Sequence, residues 1–156
     1  MDLDDRQAPT GASARNAARP RIRLLAVALA VSWASMLFHN QWELPLTPLD
    51  LENTGPLAVD IALFVVCWWR PWSRVVWTAI LAWGLLNMLV GGVVTVLPLP
   101  VLPFVPEQTF DHYAVHAAYA LGQLPLVLVA GGALRQLRHR AQRMSTEGDH
   151  DGRANT

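Results

Sequence analysis

The sequence predicts an all-α, integral membrane four-helix bundle with disordered cytoplasmic tails, and three observations carry that expectation. The chain contains four apolar runs separated by short polar or proline-rich connections. Its composition is 53% hydrophobic and 15% charged, whereas a soluble domain carries roughly one quarter charged residues. The third observation is the placement of the basic residues. All twelve are arginines, and they cluster at one end of the apolar runs: Arg6, Arg15, Arg19, Arg21 and Arg23 before the first, Arg70 and Arg74 between the second and third, and Arg135, Arg138, Arg140, Arg143 and Arg153 after the fourth. The two other connections hold only carboxylates, at Glu43, Asp50, Glu52, Glu107 and Asp111. Loops that keep positive charge stay in the cytoplasm, so four crossings of the cell membrane are expected, with both termini inside.

Residues 1–20 mix charge with Ala, Gly, Ser and Pro without apolar periodicity, the composition of a disordered tail. The first span, near 22–39, has an apolar stretch of about 15 residues, just short of the usual lower limit of roughly 17. Ile22 and the aliphatic stem of Arg23 supply the rest. A basic lead, an apolar run and small residues near Ser32–Ser35 also fit a cleaved signal peptide, although Trp33 and Met36 suit a cleavage region poorly. The second span, near 55–70, is preceded by Asn53 and Thr54 as candidate caps and has Pro56 in its first turn. At 1.5 Å per residue it is only roughly 22 Å long. Trp68, Trp69, Trp72 and Trp77 bracket the turn Arg70–Arg74 as an interfacial aromatic belt, and Ser73 is placed to cap the third helix.

The third span, near 75–97, ends at Pro98. The loop that follows holds Pro98, Pro100, Pro103 and Pro106, which forbid a helix. It is apolar enough to be expected to cap the bundle, with Phe104 as the plug. The fourth span, near 112–134, contains Pro125, which frees the carbonyl of Leu121. Residues 135–156 begin as a basic helical extension and then become a disordered tail.

Polar side chains inside the spans are the candidates for chemistry, since a carboxylate near the bilayer centre costs about 2.5–3.5 kcal/mol. Asp60 lies about one turn below the outer end of the second helix and needs a partner. His112, His116, Tyr119 and Gln123 are spaced i, i+4, i+7 and i+11, one continuous stripe on the fourth helix. Asp60 is expected to face that stripe, with His116 as its acid–base partner and His112, Glu43 and His39 at the mouth of the site. The His112–His116 spacing can chelate a divalent metal, which makes these two the metal candidates. The structural alternative is a hydrogen-bonded pair that fixes helix register. Ser32 and Ser35 on the first helix, and Gly84, Asn87 and Gly91 on the third, form small-residue packing faces. Gln123 is expected to bond Asn87 or the carbonyl freed by Pro125, and Trp33 and Trp83 to fill the core.

Several function classes fall away. The basic residues flank membrane spans and form no patch interleaved with aromatics, so nucleic acid is not a partner. Cys67 is the only cysteine, which removes an intrachain disulfide, a CxxC redox pair and a multi-thiolate zinc site. No cofactor is implied. The absence of Lys beside many Arg, Ala and Val points, by codon usage alone, to a GC-rich bacterial genome, and what is expected is a small multi-pass protein of the cell membrane, surrounded by lipid. The leading expectation is a non-catalytic accessory or structural subunit that meets a second copy or a membrane-protein partner through the Gly84/Gly91 face. The alternatives are a membrane enzyme or lipophilic-ligand or metal-binding protein built on Asp60 and His116, and a metal or proton carrier.

Overall fold

The computed structural model describes the backbone of residues 11–103 and 105–154 and the side chains of residues 21–103 and 105–143. Four helices follow one another: α1 (Gly11–Glu43), α2 (Leu51–Trp69), α3 (Arg74–Leu86) and α4 (Phe110–Ala154). The described residues contain no strand. All four helices are long and apolar enough to cross a membrane, α3 counted together with the short turns that continue it to Val96. In space they close a ring: α1 packs on α2 and α4, and α3 packs on the same two neighbours. Short connections between consecutive helices make each neighbour in that ring antiparallel, the up-and-down arrangement of bundles.

The bundle is apolar at its arginine-rich end and polar at the other. Around Trp77, Leu25, Ile80, Leu126 and Cys67 lies one buried cluster that also takes in Ala28, Ala130 and Leu137. The buried polar residues, Ser32, Asn53, Asp60, His116 and Gln123, sit outside it. Arginine stems and indoles finish the apolar end: the guanidinium of Arg140 stands 4.3 Å from the Trp72 ring and that of Arg21 5.1 Å from it. Trp72 thus meets two cations. Trp77, read from the sequence as part of an interfacial belt, is instead fully buried in the apolar cluster and donates to Pro71 O at 2.9 Å, while Trp68 and Trp69 are exposed.

Helix ends differ from the expected ones for identifiable reasons. Residues 11–20, read as disordered tail, continue α1, and the tail beyond Arg135 stays helical to Ala154. Alanine and arginine are strong helix formers, and a helix already nucleated by packing extends through them without a new nucleation cost. Residues 1–10 and Phe104 lie outside the described residues, so the expected plug does too. The loop around it is mixed: Val101 and Val105 are 80% and 89% exposed, while Pro106 is buried. Asp50, not Asn53 or Thr54, is the N-cap residue of α2. Asn53 instead turns into the bundle, where its amide has partners on two segments. Ser73 caps α3 as expected, accepting from the Val76 amide.

The third helix does not run unbroken to Leu97. After Leu86 the chain widens into a π turn, Asn87–Gly91, and then tightens into a short 3₁₀ turn, Val94–Val96. The cause is a close approach by α4. A Cβ at Gly91 would lie 2.7 Å from Tyr119 Cε1, and one at Gly92 would lie 2.7 Å from Ala120 Cβ. The Gly84 position likewise meets Val127 and Leu126. The glycine face expected to join two copies is therefore occupied by α4 of the same chain, which is a correction. Helix contact within the chain uses the same small-residue rule that an oligomer would.

Candidate functional site

At the arginine-poor end, a cavity of about 470 Å³ lies between α1 and α4, lined by His39, Asn40, Glu43, His112, His116 and Tyr119 together with Met36, Leu44, Gly91, Thr95, Val105, Pro106 and Glu107. Five of the seven polar-site candidates read from the sequence converge here. Helical spacing explains the set: His39 and Glu43 are one turn apart at the end of α1, and His112, His116 and Tyr119 rise along the facing side of α4.

Three imidazoles dominate the site. His39 and His116 meet edge to face with centroids 4.3 Å apart, and their Nε2 atoms are separated by 3.1 Å. His112 also meets His116 edge-on, with centroids 4.5 Å apart. Each ring is fixed through Nδ1. That of His112 is 2.8 Å from Glu43 Oε2, that of His116 is 3.1 Å from the Gly91 carbonyl, and that of His39 is 3.0 Å from Asn40 Oδ1. The π turn matters at this point. It turns the Gly91 carbonyl toward α4, where it accepts from both Thr95 Oγ1 at 2.7 Å and the His116 ring. The Nε2 of His112 is buried and finds no hydrogen-bond partner among the described residues.

Deeper in the bundle the polar groups satisfy one another. Gln123 is fully buried and bonds α1: it accepts from Ser32 Oγ at 2.6 Å and donates to Ser32 O and Ser35 Oγ at 3.2 Å each. It bonds neither Asn87 nor the carbonyl freed by Pro125, contrary to the expectation. α1 is simply closer, because Gly122 lets Ser35 approach the α4 backbone. Asn87 donates to Trp83 O and accepts from Tyr119 Oη, both at 2.8 Å.

Asp60 is not part of the cavity. It is buried on α2, and its Oδ1 accepts from Trp83 Nε1 at 2.8 Å. It lines a separate, almost wholly apolar groove of about 270 Å³ with Leu29, Trp33, Leu57 and Phe64. The expected Asp60–His116 pair is not formed, because the indole of α3 stands where the imidazole was expected and supplies the proton that a buried carboxylate needs. Trp33 is also more than filler, donating to Asn53 O at 3.1 Å. An indole N–H within an apolar span requires an acceptor, and that rule was the signal available in the sequence. Asn40, Asn53, Thr95 and the Gly91 carbonyl were missed. Nothing in local spacing marks a backbone carbonyl released by a π turn.

No protein-family model matches the chain, and comparison with curated proteins and with solved structures gives no match either. The arrangement must therefore be read from its chemistry. It offers three imidazoles, two carboxylates and a phenol in a cavity that Met36, Leu44, Val105 and Pro106 also line.

Proposed function

We propose that this chain is a small multi-pass protein of the bacterial cell membrane that binds a polar or ionic ligand in the cavity between α1 and α4, on the side away from the cytoplasm. The orientation follows from arginines crowding the opposite end of the bundle, since positively charged connections remain inside. The role is binding and not catalysis. The observation that carries it is His112, whose Nε2 is buried beside the cavity with no hydrogen-bond partner among the described residues. A purely structural polar interface pairs its buried groups, as Ser32, Ser35 and Gln123 do a few residues away. Leaving an imidazole nitrogen unmatched costs about 1–3 kcal/mol, a penalty that a ligand can relieve.

The test is native mass spectrometry of the detergent-purified protein beside thermal unfolding of His112→Ala and Glu43→Ala. A binding site predicts a non-protein mass retained by the wild type and lost in both variants, with melting temperatures equal to or above that of the unliganded wild type. Functional polar groups commonly lower stability. Melting temperatures that fall by several degrees, with no ligand mass in any form, would leave the residues as structural packing only.

A further inference from the structure

The proton positions on the three rings can be assigned from partners that only accept. Asn53 Nδ2 donates to the Thr47 carbonyl at 2.7 Å, which leaves Asn53 Oδ1 facing Asn40. Asn40 Nδ2 donates to that oxygen at 2.9 Å, so the Asn40 atom near His39 is its Oδ1, and His39 Nδ1 must carry the hydrogen. His116 Nδ1 must donate as well, because the Gly91 carbonyl has no hydrogen to give. His112 Nδ1 donates to the Glu43 carboxylate. All three neutral rings therefore hold their hydrogen on Nδ1 and present a bare lone pair at Nε2.

Those lone pairs need a positive partner. The Nε2 atoms of His39 and His116 face each other at 3.1 Å, a repulsive contact unless a cation or an added proton lies between them. The Nε2 of His112, in the ring packed against His116, is buried without a donor. Two imidazoles bound to one tetrahedral zinc at about 2.0–2.1 Å stand about 3.4 Å apart by that geometry, within a few tenths of an ångström of the gap seen here. The Nδ1 partners also fit. Metal-bound histidines anchor their second nitrogen on a carboxylate or a backbone carbonyl, and His112 and His116 do so.

We propose that His39, His112 and His116 are the ligands of a divalent transition-metal ion of the zinc and copper class, bound through three Nε2 atoms with the fourth position open to the cavity. This rests on reading the cavity as a ligand site, and it names the ligand. Glu43 and Asn40 are positioning residues that hold ring orientation. In the conformation seen here no three His, Cys, Asp or Glu side chains among the described residues are placed to hold a metal ion, so the site is completed only by a rearrangement. His112 is the ring that must turn, since its Nε2 has no hydrogen bond to lose; the Glu43 carboxylate, 2.8 Å from its Nδ1, must move with it to keep that anchor. Neutral imidazoles disfavour magnesium and calcium, which take oxygen ligands.

The experiment uses the full chain in detergent, stripped with a chelator and titrated with zinc sulfate, cupric sulfate and, as control, magnesium sulfate. One zinc or copper ion per chain is expected, with a melting temperature that rises with ion concentration as binding to the folded state requires. Magnesium should do nothing. His112→Ala and His116→Ala should each weaken binding at least about 100-fold, and Glu43→Gln, which keeps all three ligands, about 10- to 100-fold. X-ray absorption of the zinc-loaded wild type should show three imidazole nitrogens, which keeps the proposal testable if a variant does not fold. Binding well below one ion per chain, affinity unchanged in both histidine variants, or one imidazole or none in the absorption spectrum would overturn it. An organic mass that depends on His112, without metal uptake, would retain the cavity as a binding site and discard the metal. A site with neither would discard both.

Discussion

Gly122→Ala is the sharpest probe of how this bundle is held together. A Cβ at that position would stand 2.2 Å from Ser35 Cβ and 2.3 Å from its Oγ. Rotation about χ1 can move Oγ but not Cβ, which is fixed to the α1 backbone. The helices must part, at about 1–3 kcal/mol for overpacking. Separation also pulls Ser35 and Ser32 away from Gln123, which is fully buried and depends on both. Stranding one of its polar groups adds about 1–3 kcal/mol, so the total loss is about 2–6 kcal/mol by these two principles together. Nothing lies within 4 Å of a Cβ at Gly131 or Gly132. Alanine there should be neutral or stabilising by about 0.5–1 kcal/mol through helix propensity. The assay is equilibrium unfolding in mixed micelles, following tryptophan fluorescence or helicity. A second-site test isolates the cause. Ser35→Gly should restore part of the loss, whereas Ser35→Ala should not, because the nearest contact is to Cβ. A Gly122→Ala protein within about 0.5 kcal/mol of wild type, the ordinary range for a surface change, would refute the packing described here.

Asp60 should be tolerant of amidation and intolerant of an apolar replacement. Asp60→Asn keeps an acceptor for Trp83 Nε1 and removes a carboxylate that is costly in lipid, so unfolding stability should hold or rise. Asp60→Leu strands the indole N–H and should lose about 1–3 kcal/mol, and a leucine variant as stable as the asparagine one would contradict the hydrogen bond. Trp72→Ala removes the ring between Arg21 and Arg140. Two cation–π contacts at about 0.5–1 kcal/mol each, added to the lost packing of the ring against the apolar cluster, make the expected drop at least about 1–2 kcal/mol, measured in the same assay; a change below that would make the stacking incidental. Orientation can be checked by thiol labelling in a Cys67→Ser background. Cysteine at Thr10 or Gly148 should stay unlabelled by an impermeant reagent in intact cells, and cysteine at Val101 should react; the reverse pattern would invert the membrane orientation.

The helix count and the segregation of polarity were legible because both follow from one-dimensional patterns. Arginines at alternate connections mark the ends, and the i, i+4, i+7 stripe from His112 to Tyr119 brings its residues into one cavity with His39 and Glu43. Partner choice was not legible. Depth along a helix can be estimated from rise per residue, but which neighbour lies across from Asp60 depends on helix rotation, and the answer was Trp83. The π turn was equally hidden, since its cause is the approach of Tyr119 and Ala120 to Gly91 and Gly92 across the bundle. Asn53 reads as a cap because it precedes an apolar run. It becomes an interior bridge between Thr47 and Asn40 only once α1 lies alongside.

The same close contacts connect packing to the candidate site. Glycine at 91 lets Tyr119 come near enough to bond Asn87, and the turn this produces presents the Gly91 carbonyl to His116. Were α3 a regular helix to Leu97, that carbonyl would accept its own i+4 amide along the helix. The carbonyl has two lone pairs and here serves both Thr95 and His116, but aimed along the helix axis it would be turned away from the ring on α4 that it fixes. The His116 Nε2 would then be free to donate to His39, and the pair would be an ordinary neutral hydrogen bond with no lone-pair conflict to relieve. The irregularity in α3 is therefore what separates a self-satisfied histidine pair from one that needs a cation or an added proton between its lone pairs, and it lies in a different helix from any of the three imidazoles.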